Sequence, residues 1–99
     1  MIISKKNISL INSLCEIHSV DKLYLFGSAT GNTFSKNSDI DFLVKFRNIE
    51  LEKYFDNYIT LKQKLKNIFK RDVDLVEEQT LKNPILIDSI NKNKELIYG

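Results

Sequence analysis

Leu25-Phe26-Gly27-Ser28-Ala29-Thr30-Gly31, followed by Ser38-Asp39-Ile40-Asp41-Phe42-Leu43-Val44, is the stretch that decides the fold. Its first half reads as an apolar strand running into a glycine-punctuated turn, and backbone amides facing out of such a turn favour an anion. Its second half reads as a strand that opens with two carboxylates. Side chains alternate along a strand, so Asp39, Asp41, Leu43 and Lys45 share one face and Ile40, Phe42, Val44 and Phe46 the other. Both carboxylates therefore point to the same side, with Cα atoms about 6.5–7 Å apart. They repel each other unless a cation sits between them. An anion-accepting turn next to a pair of acids implies a phosphate-bearing substrate and a divalent metal.

Outward from this stretch the chain alternates between two periods. Towards the N-terminus, Ile8, Ile11, Leu14, Cys15 and His18 recur at helical spacing, predicting a helix over about 5–18 with Ser4 as its cap. His18 falls at the helix end, where the dipole favours it, and has no catalytic role in this reading. Lys22 to Phe26 is a near-continuous apolar run that suits a central strand covered on both faces. Residues 29–37 are small and polar and form a connection. Beyond the second strand, over Asp39 to Phe46, Tyr54, Tyr58, Leu61, Leu65 and Ile68, joined by Leu51, Phe55 and Phe69, mark the longest helix, at about 50–70, their stripe facing the core. Arg71 to Val76 reads as a third strand, with Asp72 and Asp74 on one face and Val73 on the other. Asn83-Pro84 is a capping pair, and Ile87, Ile90, Leu96 and Ile97 extend a last helix over about 84–97.

The predicted order is α-β-β-α-β-α, an α/β (α+β) domain with a short sheet covered by helices. The connection between the first two strands is shorter than a parallel crossover needs, so that pair is expected to be antiparallel.

Bulk properties bound the function. The 99 residues fit one domain spanning 1–99. Net charge is +2 and the lysines are scattered, which argues against direct nucleic-acid binding. With one cysteine, no internal disulfide can form, which suits a reducing, cytoplasmic setting, and one cysteine with one histidine excludes the usual zinc sites. Cys15 reads as a buried hydrophobe. No apolar run approaches the roughly 20 residues of a membrane helix.

Asp39 and Asp41 can jointly hold magnesium, whose shell is completed by water and substrate phosphates. A third acid on the neighbouring strand would complete a two-metal site for in-line displacement at phosphorus. Asp74 is the natural choice and Asp72 the competing one. Gly27 lets the backbone approach a phosphate, and the Ser28 hydroxyl and amide can donate to its oxygens. The turn is neither a Walker loop nor a dinucleotide fingerprint, since neither Gly-Lys-Ser/Thr nor G-x-G-x-x-G is present. A Gly-Ser pair or an Asp-x-Asp alone is commonplace. Their conjunction at the ends of apolar strands, with a third Asp later, is specific.

Gly27-Ser28, ten intervening residues, then Asp39-Ile40-Asp41 resembles the signature of the DNA polymerase β-like nucleotidyltransferase superfamily, most closely its minimal nucleotidyltransferase (MNT) family. Val73-Asp74-Leu75-Val76, Leu81-x-Asn83-Pro84 and Leu96-Ile97-Tyr98 extend the likeness over nearly the whole chain. The resemblance implies a nucleotidyltransferase fold, a small mixed sheet of three strands or slightly more packed with helices. It implies that Gly27 and Ser28 touch the nucleotide triphosphate, that Asp39 and Asp41 hold two magnesium ions, and that Asp74 is the third acid, nearest the incoming hydroxyl. The reaction would be attack of that hydroxyl on the α-phosphate of ATP with release of pyrophosphate. Members commonly pair with a HEPN-domain toxin, for which they are the antitoxin, and some transfer AMP to it. Thr30 stands where the family often has arginine, which leaves phosphate charge to the metals and other amides. Asp72 adds a fourth carboxylate.

Two functions follow. The first is a magnesium-dependent transferase that moves AMP onto a partner protein, since a chain this short has no domain of its own to hold an acceptor. The second is a non-catalytic antitoxin that neutralises its HEPN toxin by contact, through the tyrosines of the long helix or through the C-terminal helix.

Overall fold

A computed structural model describes residues 3–27 and 39–99. Helix α1 (Lys5–Ile17) is capped by Ser4, whose side chain accepts the Asn7 amide at 3.2 Å. It leads into strand β1 (Val20–Phe26), then strand β2 (Ile40–Phe46), helix α2 (Leu51–Phe69) and strand β3 (Val73–Glu77). A short 3₁₀ turn (Glu78–Thr80), helix α3 (Pro84–Asn93) and strand β4 (Glu95–Tyr98) complete the chain.

The sheet order is β3-β2-β1-β4. β1 pairs antiparallel with β2, as the short connection requires, and β2 pairs parallel with β3 across the crossover made by α2. β4 lies antiparallel on the other side of β1. The sheet is thus mixed and four-stranded, and the chain order gains a strand at its end.

That strand corrects the reading of 84–97 as one helix. Asn83 caps α3 as expected, accepting the Ile85 and Leu86 amides at 3.0 and 3.4 Å with Pro84 at the first turn. The helix then stops at Asn93, Lys94 takes an extended conformation, and Leu96-Ile97-Tyr98 continue as strand. The apolar residues there fit a helical period as well as a strand. What decides between them is β1, whose free edge supplies hydrogen bonds that no local pattern reveals.

Alternation in the strands divides the sheet into two faces. Leu23, Leu25, Ile40, Phe42, Val44, Val73 and Leu75 are buried on one, against Ile11 and Cys15 of α1 and Leu61 and Leu65 of α2. Phe42 meets Phe69 with ring centroids 5.7 Å apart. Cys15 is buried as expected, and burial pushes its thiol up to about 12. His18 ends α1 but is buried rather than exposed: its Nδ1 donates to the Leu14 carbonyl at 2.8 Å, and its own carbonyl accepts from Asn57 of α2 at 2.7 Å. It ties the two helices together.

β3 is an edge of the sheet. The Ile40 amide donates to the Asp72 carbonyl at 3.1 Å, so Asp72, Asp74 and Val76 turn their backbone groups towards β2. Val73, Leu75 and Glu77 turn theirs outward. The Tyr58 hydroxyl donates to the Leu75 carbonyl, and the Thr80 hydroxyl donates to that of Glu77 at 2.7 Å.

Candidate active site

The face opposite α1 and α2 carries the acids. On β2, Asp41 alternates with buried Phe42 and so shares a side with Leu43. The strand register sets Phe26 of β1 opposite Asp41, and Asp41 opposite Asp74 of β3. One transverse row across three strands therefore reads Phe26, Asp41, Asp74. Asp39 immediately precedes β2 and is exposed, as is Asp74, while Asp41 is half-buried. Burial raises the pKa of the Asp41 carboxyl, and the charges of Asp74 and then Asp39 raise it further. The three acids thus share one field, and Asp41 is its centre.

Asp72, the competing third acid, is turned to another use: its carboxylate lies 3.2 Å from the Lys66 ammonium near the end of α2. Asp74 is the acid in register with Asp41.

Gly27 closes the row at the end of β1, and its structural reason is more specific than freedom of approach. Its φ is +75°, and a Cβ there would overlap the Asp41 carboxylate, lying 3.2 Å from Cγ. A side chain at this position would displace the central acid. Ser28 and Thr30 lie outside the described residues.

Among the described residues, no three Asp, Glu, His or Cys side chains converge closely enough to form a metal cage by themselves. The donor set still suits a divalent ion that takes oxygen ligands and fills its shell with water and phosphate. It consists of carboxylates alone, and a cation beside Asp41 would offset both neighbouring charges that raise its pKa.

The tyrosines of α2 are not exposed contact groups. Tyr54 and Tyr58 are half-buried and stacked, centroids 6.5 Å apart, and Tyr54 meets Phe46 edge-on at 5.6 Å. Tyr58 stands behind the third acid: its hydroxyl holds the carbonyl of Leu75, the next residue, and burial and the Asp74 charge both raise its pKa. Its role is not visible in sequence, because the helical stripe marks it only as core. The exposed apolar residues of α2 are instead Leu51, Phe55 and Ile59, one turn apart, so Leu51 and Phe55 do not join the core stripe expected of them.

Comparison with known proteins agrees with this geometry. The family model described as polymerase beta, nucleotidyltransferase matches residues 9–99. MJ0128 of Methanocaldococcus jannaschii, assigned as a protein adenylyltransferase, is 35% identical over 85 residues, covering 86% of this chain and 82% of its own. The solved structure of a protein assigned as a minimal nucleotidyltransferase superposes with a TM-score of 0.76 at 25% identity, covering 92% of this chain and 89% of that one. A crystal structure of a toxin–antitoxin with AMP-PNP superposes with a TM-score of 0.70 at 27% identity, covering 94% and 73%. No helix among the described residues is long and apolar enough to cross a membrane. An acid row on a mixed sheet, a glycine turn pressed against its central carboxylate and a match over nearly the whole length have one meaning: the chain belongs to the polymerase β-type nucleotidyltransferase family.

Proposed function

We propose that this chain transfers AMP from ATP to a hydroxyl of a partner protein, that the partner is a HEPN-domain toxin, and that the chain is its cytoplasmic antitoxin. The observation that carries the chemistry is the row Asp41–Asp74 with Gly27 against its central carboxylate. The acceptor oxygen attacks the α-phosphorus, the bond from that phosphorus to the bridging oxygen of the β-phosphate breaks, and pyrophosphate leaves. Asp74, on the edge strand β3, would take the hydroxyl proton. Asp39, Asp41 and Asp74 would hold two magnesium ions, which supply charge stabilisation for both the attacking and the leaving oxygen. Gly27 and Ser28 would face the triphosphate.

The nucleotide and the partner are supported by the likeness to a toxin–antitoxin with AMP-PNP and to an assigned protein adenylyltransferase. Incubation of the purified chain with labelled ATP, magnesium and a HEPN-domain toxin tests the reading. Label should pass to the partner from the wild type and not from Asp39→Asn/Asp41→Asn. Undiminished transfer by the double variant would sink it.

One observation favours the second reading, neutralisation by contact. Leu51, Phe55 and Ile59 stand 88%, 68% and 46% exposed on successive turns of α2, far more apolar surface than a solvated helix needs. If the double variant still neutralises the toxin, contact suffices and transfer is dispensable.

A further inference from the structure

The acid row has a fourth member that reaches it from the far side of β1. β4 runs antiparallel to β1 with Glu95 opposite Leu25. Carrying that register one residue further sets Lys94 beside Phe26, in line with Asp41 and Asp74. Two strand spacings separate Lys94 from Asp41, about 10 Å between Cα atoms. Its backbone is fixed from both sides: the Lys94 amide donates to the Ile90 carbonyl at 2.8 Å to close α3, and β4 begins at the next residue.

The side chain lies on the acid-bearing face. The Lys94 ammonium is 4.2 Å from the centroid of the Tyr24 ring. Tyr24 opposes Leu43, which shares its side of β2 with Asp41, while Leu23 and Leu25, on the other side of β1, are in the core. Lys94 is half-buried, and among the described residues it makes no ion pair, in contrast to Lys45, Lys53, Lys66 and Lys92. An ammonium resting on an aromatic face, on the acid-bearing side of the sheet and one residue row from Asp41 and Asp74, holds positive charge within a side chain's swing of where a nucleotide seated on Asp41 would carry its negative charge.

We propose that Lys94 is a nucleotide-binding residue that pairs with the polyphosphate of ATP, with the Tyr24 ring holding its ammonium over the sheet in the absence of nucleotide. The inference rests on the transferase reading. It adds a cation to a site so far built of acids and amides, and places it on β4. A lysine here acts as a compact point charge that can move from ring to phosphate, since the cation–π contact is weaker than a charge-assisted bond to phosphate.

The test uses the purified full chain and magnesium, with calorimetric titration of ATP and of AMP. Lys94→Met keeps the stem and removes the charge; Lys94→Arg keeps the charge. Lys92→Met, at a neighbouring position whose ammonium pairs with Asp88 at 3.1 Å, serves as the control. Lys94→Met should weaken ATP about 5–20-fold, the loss of one charge-assisted contact. It should leave AMP within about twofold and place the loss in KM for ATP rather than in kcat. Lys94→Arg should recover most of the affinity, and Lys92→Met should match the wild type. ATP affinity in Lys94→Met within twofold of the wild type, with the wild type binding normally, overturns this inference alone. So does an equal loss for ATP and AMP. A wild-type chain that binds no nucleotide overturns the transferase reading and this one with it.

Discussion

Gly27→Ala is the substitution for which the structure gives the most complete arithmetic. Two costs are separable. The φ of +75° is a left-handed conformation in which an L side chain costs about 1–2 kcal/mol. The new Cβ would also overlap the Asp41 carboxylate, forcing that side chain off its rotamer at about 0.5–1.5 kcal/mol. The single variant should thus lose about 1.5–3.5 kcal/mol of stability. In an Asp41→Ala background the carboxylate is gone, and the remaining neighbour, the Cβ of residue 41 at 3.4 Å, is an ordinary contact. There the same change should cost only the conformational part, about 1–2 kcal/mol. Urea unfolding of the four proteins, followed by far-ultraviolet circular dichroism, gives the coupling directly. Because the displaced group is the central acid, Gly27→Ala should also lower AMP transfer about 100-fold. Equal costs in the two backgrounds, or wild-type transfer by the single variant, would refute the reasoning.

Three further outcomes follow from the same geometry. The folded-state pKa of Asp41 is raised, so the native state holds its proton more tightly than the unfolded chain, and stability falls as pH rises from near the ordinary value of 3.8 through the folded value. Asp41→Asn should therefore be more stable than the wild type above that window and match it below; in addition, magnesium should raise the wild-type melting temperature more than the variant's, as paired melts will show. Cys15, buried and with its thiol pushed up to about 12, should resist a thiol reagent at pH 8 in the native protein and react fully in urea. Lys70 ends α2 with φ 56° and ψ 38°, a conformation glycine adopts without strain, so Lys70→Gly should raise the urea midpoint by the equivalent of about 0.5–1 kcal/mol.

The acids were the most legible part of the site. A strand's period of two is rigid, so Asp39 and Asp41 on one side of Ile40 followed from spacing alone, and an apolar alternating segment around Asp74 could hardly be anything but a strand. That Asp74 rather than Asp72 stands opposite Asp41 depends on register, which is a property of two strands and not of either one. Gly27 was recognisable as a turn residue, but its partner, the Asp41 carboxylate, lies across the β1–β2 pair and leaves no local trace. His18 shows the same limit: its place at a helix end was readable, whereas its burial and the bond its carbonyl accepts from Asn57 on another element were not. The error at 94–97 has the largest consequence. Read as helix, Lys94 is one more solvated lysine; read as the entrance to β4, it stands in line with the acids. Helical spacing and strand composition overlap in Ile90, Leu96 and Ile97, and only the open side of β1 breaks the tie.

The two hydroxyls on β3 bear on how any macromolecule can approach this protein. An edge strand normally presents a ladder of free carbonyls, an invitation to join the sheet. Here the outward carbonyls of Leu75 and Glu77 are already occupied by Tyr58 and Thr80, from the two segments that flank the strand in sequence. The rim nearest Asp74 is therefore partly capped, and a stray extended peptide, or a second copy of the chain, finds two of its carbonyl acceptors already taken. Recognition of whatever is presented to Asp74 thus leans on shape and side chains more than on backbone pairing.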